Sequence, residues 1–229
     1  DGLWDIYSDT HMGTCAELCA EKYSFTREMQ DAYAIESYKR AQKSIADGTF
    51  KDEISPVEIP QRKGAPVICD TDEEPSRVNF EKLPTLKAPF KKDGTITPAN
   101  ASSISDGAAS VLVMSEGKAK KLGLNPIASI VAHAGFSQAP EWFTTAPVGA
   151  IKAVLKKANL SIGDIDLFEI NEAFSAVTMA AIKEFSLDPA KVNINGGAVA
   201  LGHPIGASGA RIIVTLIHAL RKSGKKRGL

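Results

Sequence analysis

The residues best equipped for chemistry lie in the run Asn195-Gly196-Gly197-Ala198-Val199-Ala200-Leu201-Gly202-His203-Pro204-Ile205-Gly206-Ala207-Ser208-Gly209-Ala210-Arg211. Its glycines let the backbone approach a ligand closely and take φ values closed to other residues. His203 sits among them, and an imidazole can move a proton or polarise a carbonyl near neutral pH. An apolar helix over 209–222 is predicted to follow directly, aiming its free N–H groups and positive dipole end into the same space. Upstream, Phe168-Glu169-Ile170-Asn171-Glu172-Ala173-Phe174 puts Asn171 where a short strand ends and a helix from Glu172 is predicted to begin. Such strand-to-helix turns are where α/β folds carry polar functional groups, and Asn can hold a water or a carbonyl without titrating. Each feature alone has a plainer explanation. One is a glycine-rich turn with an incidental histidine; the other is an asparagine N-cap followed by an acidic first-turn residue.

The elements that must position these residues follow from periodicity and turn chemistry. Residues 1 to about 104 read as irregular and polar. A short helix is predicted over 14–22, and a helix from the N-cap Thr26 to Ala46 that stops at Asp47-Gly48. The 54–59 run is strand-like, demoted toward an edge by Pro56. Residues 61–93 read mainly as loop. After Gly107 the pattern alternates. Strands are predicted over 108–114, 127–134, 165–170 and 192–194, with helices over 115–122, 147–158, 172–185 and 209–222. That alternation indicates a layered α/β domain. Asn171 and His203 are expected to meet at the C-terminal edge of its sheet, with room for a bridging water.

Composition narrows the partners. The chain has 229 residues, with 27 basic and 27 acidic side chains and formal net charge zero. That size suits one or two domains, and the balance argues against general nucleic-acid binding. The odd count of 3 cysteines, without disulfide-type spacing, suits a reducing compartment. Cys15 and Cys19 lie one helical turn apart and read as helix packing rather than metal ligands. No apolar run is long enough to span a membrane, so no membrane partner is expected.

Four stretches together resemble the thiolase family, its biosynthetic members most closely. They are His11-Met12-Gly13, Asn100-Ala101-Ser102 with Asp106-Gly107-Ala108-Ala109, the Asn171 segment, and the Gly-His-Pro loop. The resemblance covers essentially the whole chain and keeps the family's motif order. It implies a partial thiolase-like α/β/α layered core with a mostly irregular or helical loop domain. Residues 1–104 match the CoA-binding loop domain, 105–125 the end of the N-terminal domain, and 126–229 an incomplete C-terminal domain. The family carries its nucleophilic cysteine before the His-Met-Gly motif and a second cysteine after the Gly-His-Pro helix. Neither setting holds Cys15, Cys19 or Cys69. The chain is therefore expected to be an internal piece of a thiolase, inactive alone. Any transit segment would lie outside it, and the cytoplasm or the mitochondrion is the expected compartment.

The implied reaction is the reversible joining of two acetyl-CoA into acetoacetyl-CoA and CoA through an acyl-cysteine. The resemblance gives His203 the activation of that cysteine and one oxyanion contact, and gives Asn171 the water that completes the oxyanion hole. It places His11, Met12 and Ser102 along the pantetheine and thioester, and Arg77, Val78, Asn79 and Lys82 at the CoA nucleotide. It also implies a potassium ion beside the CoA site. Its ligands would be Tyr38 and the carbonyls of Pro98, Ala99, Ala101 and Val199, as hard cations favour oxygen. Tyr38 belongs to the CoA-binding set as well. A homo-oligomer, a dimer of dimers, is expected. The alternatives are a degradative 3-ketoacyl-CoA thiolase and a non-catalytic CoA-binding relative. A dinucleotide-binding reading of the glycine loop fails, since Gly206-Ala207-Ser208-Gly209 lacks the required spacing.

Overall fold

A computed structural model describes residues 2–229; Asp1, the first residue of the predicted 1–104 segment, lies outside them. The chain opens with a two-residue ladder, β1 (Trp4–Asp5) antiparallel to β2 (Thr10–His11). Helix α1 (Met12–Tyr23) starts on His11, whose Nδ1 accepts the Gly13 N–H at 2.9 Å. It begins two residues earlier than periodicity alone suggests, because the cap is a ring nitrogen rather than a hydroxyl. Its inner face buries Cys15, Ala16, Cys19 and Ala20. Helix α2 (Arg27–Ala46) follows, with Thr26 Oγ1 accepting from Met29 N at 3.2 Å and Gly48 taking φ +68° just past its end. These helices make the first hundred residues more ordered than their polarity indicated. Both carry narrow small-residue faces that a hydropathy scan undervalues.

The expected strand at 54–59 narrows to β3 (Val57–Ile59), paired antiparallel with β4 (Val67–Cys69) in an exposed hairpin. Cys69 thus ends a strand rather than lying in a loop. Beyond a single-turn helix, α3 (Glu74–Arg77), the chain runs through turns to Ala101.

Two predicted strands are absent. Residues 108–114 and 127–134 form no regular secondary structure, neither segment pairs with another among the described residues, and Leu112, Val113, Ile130 and Val131 stand exposed. Apolar β-branched runs read as buried strands whatever the chain supplies beside them. Without a ladder partner they do not become strands. Between them lies α4 (Glu116–Lys121), capped by Ser115.

The layered core forms from residue 146 onward. Helix α5 (Ala146–Ala158) carries Pro147 in its first turn and ends on a left-handed Asn159. The predicted strand over 165–170 survives only as isolated bridges at Leu167 and Phe168, a rudimentary central strand without full-length partners. Asp166 and Glu169 donate to the carbonyls of Arg227 and Leu229 on one side, and Phe168 donates to Lys191 on the other. The bridges Leu167↔Gly228 and Phe168↔Val192 are both parallel, so the predicted strand over 192–194 contributes only its first residue. Alternation sorts the layers. Phe168 and Ile170 pack with Val148, Ile151 and Leu155 of α5 and with Ala181 of α6 (Ser175–Phe185). Glu169 faces the opposite side, toward Arg211 of the long C-terminal helix. That helix, α8 (Ser208–Ser223), follows a four-residue helix, α7 (Ala198–Leu201), inside the glycine stretch. The result is a narrow α/β/α sandwich with α1 and α2 packed beside α6 and α7.

Candidate active site

Asn171 leaves the central strand where Asn193 closes it off. Ile170 N donates to Asn193 Oδ1 and Asn193 Nδ2 donates back to the Ile170 carbonyl, both at 2.8 Å. The expected helix start at Glu172 is moved to Ser175, and the N-cap reading of Asn171 falls with it. The cause is the Glu172 carboxylate, which is fully buried. It accepts hydrogen bonds from Tyr33 Oη (2.8 Å), Ser37 Oγ (2.7 Å), Asn193 Nδ2 (2.8 Å) and Val199 N (3.1 Å). A buried carboxylate needs this satisfaction, and meeting it holds residues 171–173 out of the helix.

His203 arrives from the other direction. Gly202 takes φ +91°, ψ 164°, a region essentially confined to glycine, and this releases the chain from α7. A strap over 102–107 joins the two turns. The amide and hydroxyl of Ser102 both donate to the Ala173 carbonyl, at 3.0 and 2.9 Å. His203 N donates to the Ser103 carbonyl at 2.9 Å. A Cβ on Gly107 would stand 2.8 Å from Pro204, so the strap lies directly on the Gly-His-Pro turn.

Within this frame Asn171 Nδ2 meets His203 Nε2 at 3.3 Å. The expected proximity is present, but the groups touch and leave no gap for a bridging water. The other ring nitrogen, Nδ1, lies 2.6 Å from Ser208 Oγ. Burial, and secondarily the charge of Arg211, push the His203 pKa below its ordinary value, so the ring is neutral at pH 7. Asn171 Oδ1 is buried without a partner among the described residues and stands ready for an incoming donor.

The remaining candidates form three groups. His11 stacks on Phe90 with ring centroids 4.6 Å apart, while Met12 packs with Phe90, Ala101, Phe143 and Ala173 around Phe174. Ala101 and Ala173 in that cluster are the chain neighbours of Ser102 and Glu172. Tyr38, Val199 and Val78 share a second cluster with Ala34, Ala41 and Ala200. Burial raises the Tyr38 pKa, and nearby Glu74 and Glu172 add to this. Arg77, Asn79 and Lys82 make a third group whose hydrogen bonds stay within their own segment. Arg77 pairs with Glu73 and Glu74, and Asn79 Oδ1 accepts the amides of Glu81 and Lys82. None of their hydrogen bonds reaches the Asn171–His203 pair.

The oxygens proposed for a potassium ion have free capacity. Among the described residues the carbonyls of Pro98, Ala99 and Ala101 accept no hydrogen bond, and the Tyr38 hydroxyl makes none. The donor chemistry fits a hard cation. The two buried thiols do not suit nucleophilic work. Cys15 and Cys19 are fully buried, and burial pushes Cys19 up to about 11. Sequence reasoning gave no role to Ser208, Ser103, Glu172 or Phe90. The position of Ser208 on the first turn of the helix after His203 was the available signal.

The model of the thiolase N-terminal domain matches residues 1–117, and that of the thiolase C-terminal domain matches residues 124–229. The chain is 55% identical over 222 residues to an acetyl-CoA acetyltransferase of Yarrowia lipolytica, covering 97% of this chain and 56% of that protein. The crystal structure of the Bacillus anthracis acetyl-CoA acetyltransferase matches with a TM-score of 0.95 at 45% identity, over 99% of this chain and 57% of that one. The Acat5 thiolase from Ascaris suum, solved in complex with coenzyme A, matches with a TM-score of 0.89 at 47% identity, over 96% and 56%. The chain spans a little over half the length of the curated relatives it matches.

Proposed function

The chain belongs to the thiolase family, and on that premise we propose that the protein carrying it is an acetyl-CoA C-acetyltransferase. It joins two acetyl-CoA into acetoacetyl-CoA and CoA, reversibly, with His203 and Asn171 as its site in this chain. The observation that carries the reading is the 3.3 Å contact between Asn171 Nδ2 and His203 Nε2. One amide donor and one neutral imidazole converge there, from the turn before α6 and the turn between α7 and α8. The name shared by relatives at about half identity supports the same reading.

In this reading an acetyl group passes from CoA to a cysteine thiolate outside these residues, and CoA leaves as the thiol. A second acetyl-CoA gives an α-proton to the second cysteine, also outside these residues, and its carbon attacks the acyl carbon. The cysteine is released as acetoacetyl-CoA forms. His203 Nε2 takes the thiol proton in the first half, and then donates toward the thioester oxygen as negative charge grows. Asn171 supplies the second donor. Its amide swings from Nε2 to the substrate oxygen or to a water held there.

Coenzyme A is the substrate and product. Ser102, His11 and Met12 line its thioester arm, and Arg77, Val78, Asn79, Lys82 and Tyr38 its nucleotide end. A potassium ion on Tyr38, Pro98, Ala99, Ala101 and Val199 would stiffen the loop between them. Residues 1–104, 105–125 and 126–229 serve as loop domain, end of the N-terminal domain and C-terminal domain. Assembly is as a dimer of dimers.

Thiolytic cleavage of acetoacetyl-CoA by the purified protein that carries this chain together with its nucleophilic cysteine tests the proposal. Turnover is expected, and His203→Ala should abolish it. Turnover unaffected by His203→Ala would overturn the assignment.

A further inference from the structure

With the Asn171 amide oriented as it stands, Nδ2 toward the ring, the groups around His203 share one consistent hydrogen-bonding pattern. Asn171 Nδ2 can only donate, so Nε2, 3.3 Å away, accepts and carries the lone pair. A neutral imidazole then has its proton on Nδ1. That nitrogen lies 2.6 Å from Ser208 Oγ, which therefore accepts. The serine's own proton turns to the Pro204 carbonyl at 3.1 Å. Ser208 is buried, at 4% exposure, and is not the N-cap of α8; that position is Ala207, whose side chain caps nothing. Its hydroxyl is thus committed to the histidine and the proline turn rather than to its own helix.

We propose that Ser208 is a positioning residue that fixes the His203 tautomer, keeping the proton on Nδ1 and the lone pair on Nε2. The proposal rests on the reading of His203 as the site's base. A base is oriented by a third group on its far nitrogen, and here that group is a neutral hydroxyl relayed to a carbonyl. When Nε2 gains a proton, Nδ1–H stays on Ser208 Oγ and the ring does not rotate. Pro204 follows His203 in the chain, so the acceptor at the end of the relay is fixed by the same turn that carries the ring.

The test is histidine ¹⁵N NMR on the full chain at pH 7.5, using two-bond ¹H–¹⁵N correlations. The His203 signals are those lost in His203→Gln. The expected pattern is a protonated Nδ1 and a pyridine-like Nε2. Ser208→Ala should shift His203 toward the Nε2–H form, and Ser208→Thr should restore the Nδ1–H form. If Ser208→Ala does not fold, Ser208→Cys takes its place, similar in volume but a poor acceptor. An Nε2–H ring in the unmodified chain overturns the proposal. So does an Nδ1–H ring that persists undiminished when the hydroxyl is removed. In the active protein, Ser208→Ala should lower kcat at least about tenfold with little change in KM. The NMR result stands without turnover. Absent turnover in the protein that carries the nucleophilic cysteine, with the expected tautomer, would therefore sink the thiolase reading and leave this one in place.

Discussion

The Glu172 carboxylate accepts the backbone N–H of Val199 at 3.1 Å, so the residue beside Asn171 also holds the segment that leads to His203. The same carboxylate binds Tyr33 and Ser37 of α2. One buried acceptor thus fixes both halves of the site against a helix from the other end of the chain.

Every partner of Glu172 is a donor, so Glu172→Gln sets an amide –NH₂ against hydrogens already in place. We expect a loss of about 3 kcal/mol, the cost of a mismatched buried charged hub. Urea unfolding would show it as a lower midpoint with an unchanged slope. A loss below about 1 kcal/mol would mean the hub is not what holds the two turns.

Asn171→Ala removes the donor beside Nε2 and leaves the His203–Ser208 contact intact. In the active protein kcat should fall by roughly 10²–10³, as for loss of one preorganised oxyanion donor, with KM nearly unchanged. Asn171→Asp should be no better, because a carboxylate there draws a proton onto Nε2. Steady-state kinetics on both variants decide the point. An asparagine that served only to shape the turn would lower stability and spare kcat.

What the sequence made legible was mostly local. The Thr26 cap, the Asp47-Gly48 stop, Pro147 and the Gly-His-Pro turn each act through neighbours a few residues away, and each stands where expected. The meeting of Asn171 with His203 was legible from their two turns, although His203 sits between helices α7 and α8 rather than after the strand expected there. The failures came from partners distant in sequence. Residues 108–114 and 127–134 have strand composition, but strand formation depends on what lies alongside. The start of α6 moved because the Glu172 partners Tyr33 and Ser37 lie more than a hundred residues away. Ser208 was visible in the motif, but its tautomer role appears only once the direction of the Asn171 amide is known.

Gly202→Ala probes the backbone that aims His203. The φ of +91° with ψ 164° falls where only glycine is at ease, and a Cβ there would stand 2.8 Å from Ser105 Cβ and overlap its hydroxyl. We expect a stability loss of about 1–3 kcal/mol and a fall in kcat together, since the strap and the ring must both move. Thermal melting and turnover should fall in parallel. Gly206→Ala, at a glycine with open space around its Cβ, should change neither much and serves as the control.

Behind the site, Glu169 should make stability depend on pH. Its side chain is buried on the central strand, and its nearest cation, Arg211 Nη1, is 3.9 Å from Oε2, long for an ion pair. Burial raises the carboxyl from 4.5 to about 8; Arg211 opposes this, and Glu172 and Glu53 add to it. The folded chain therefore keeps a proton that the unfolded chain releases above about pH 4.5. Stability should fall as pH rises from that value toward 8, by at most about 1.4 kcal/mol per pH unit from this one group. Glu53, raised by burial to about 7, pulls in the same direction over a narrower range. Urea unfolding of the wild type and of Glu169→Gln between pH 5 and 8.5 separates the contribution. The glutamine mimics the protonated acid, so the variant should match the wild type near pH 5 and exceed it near pH 8. Two parallel curves would mean that Glu169 is ionised throughout and that Arg211 neutralises it despite the distance.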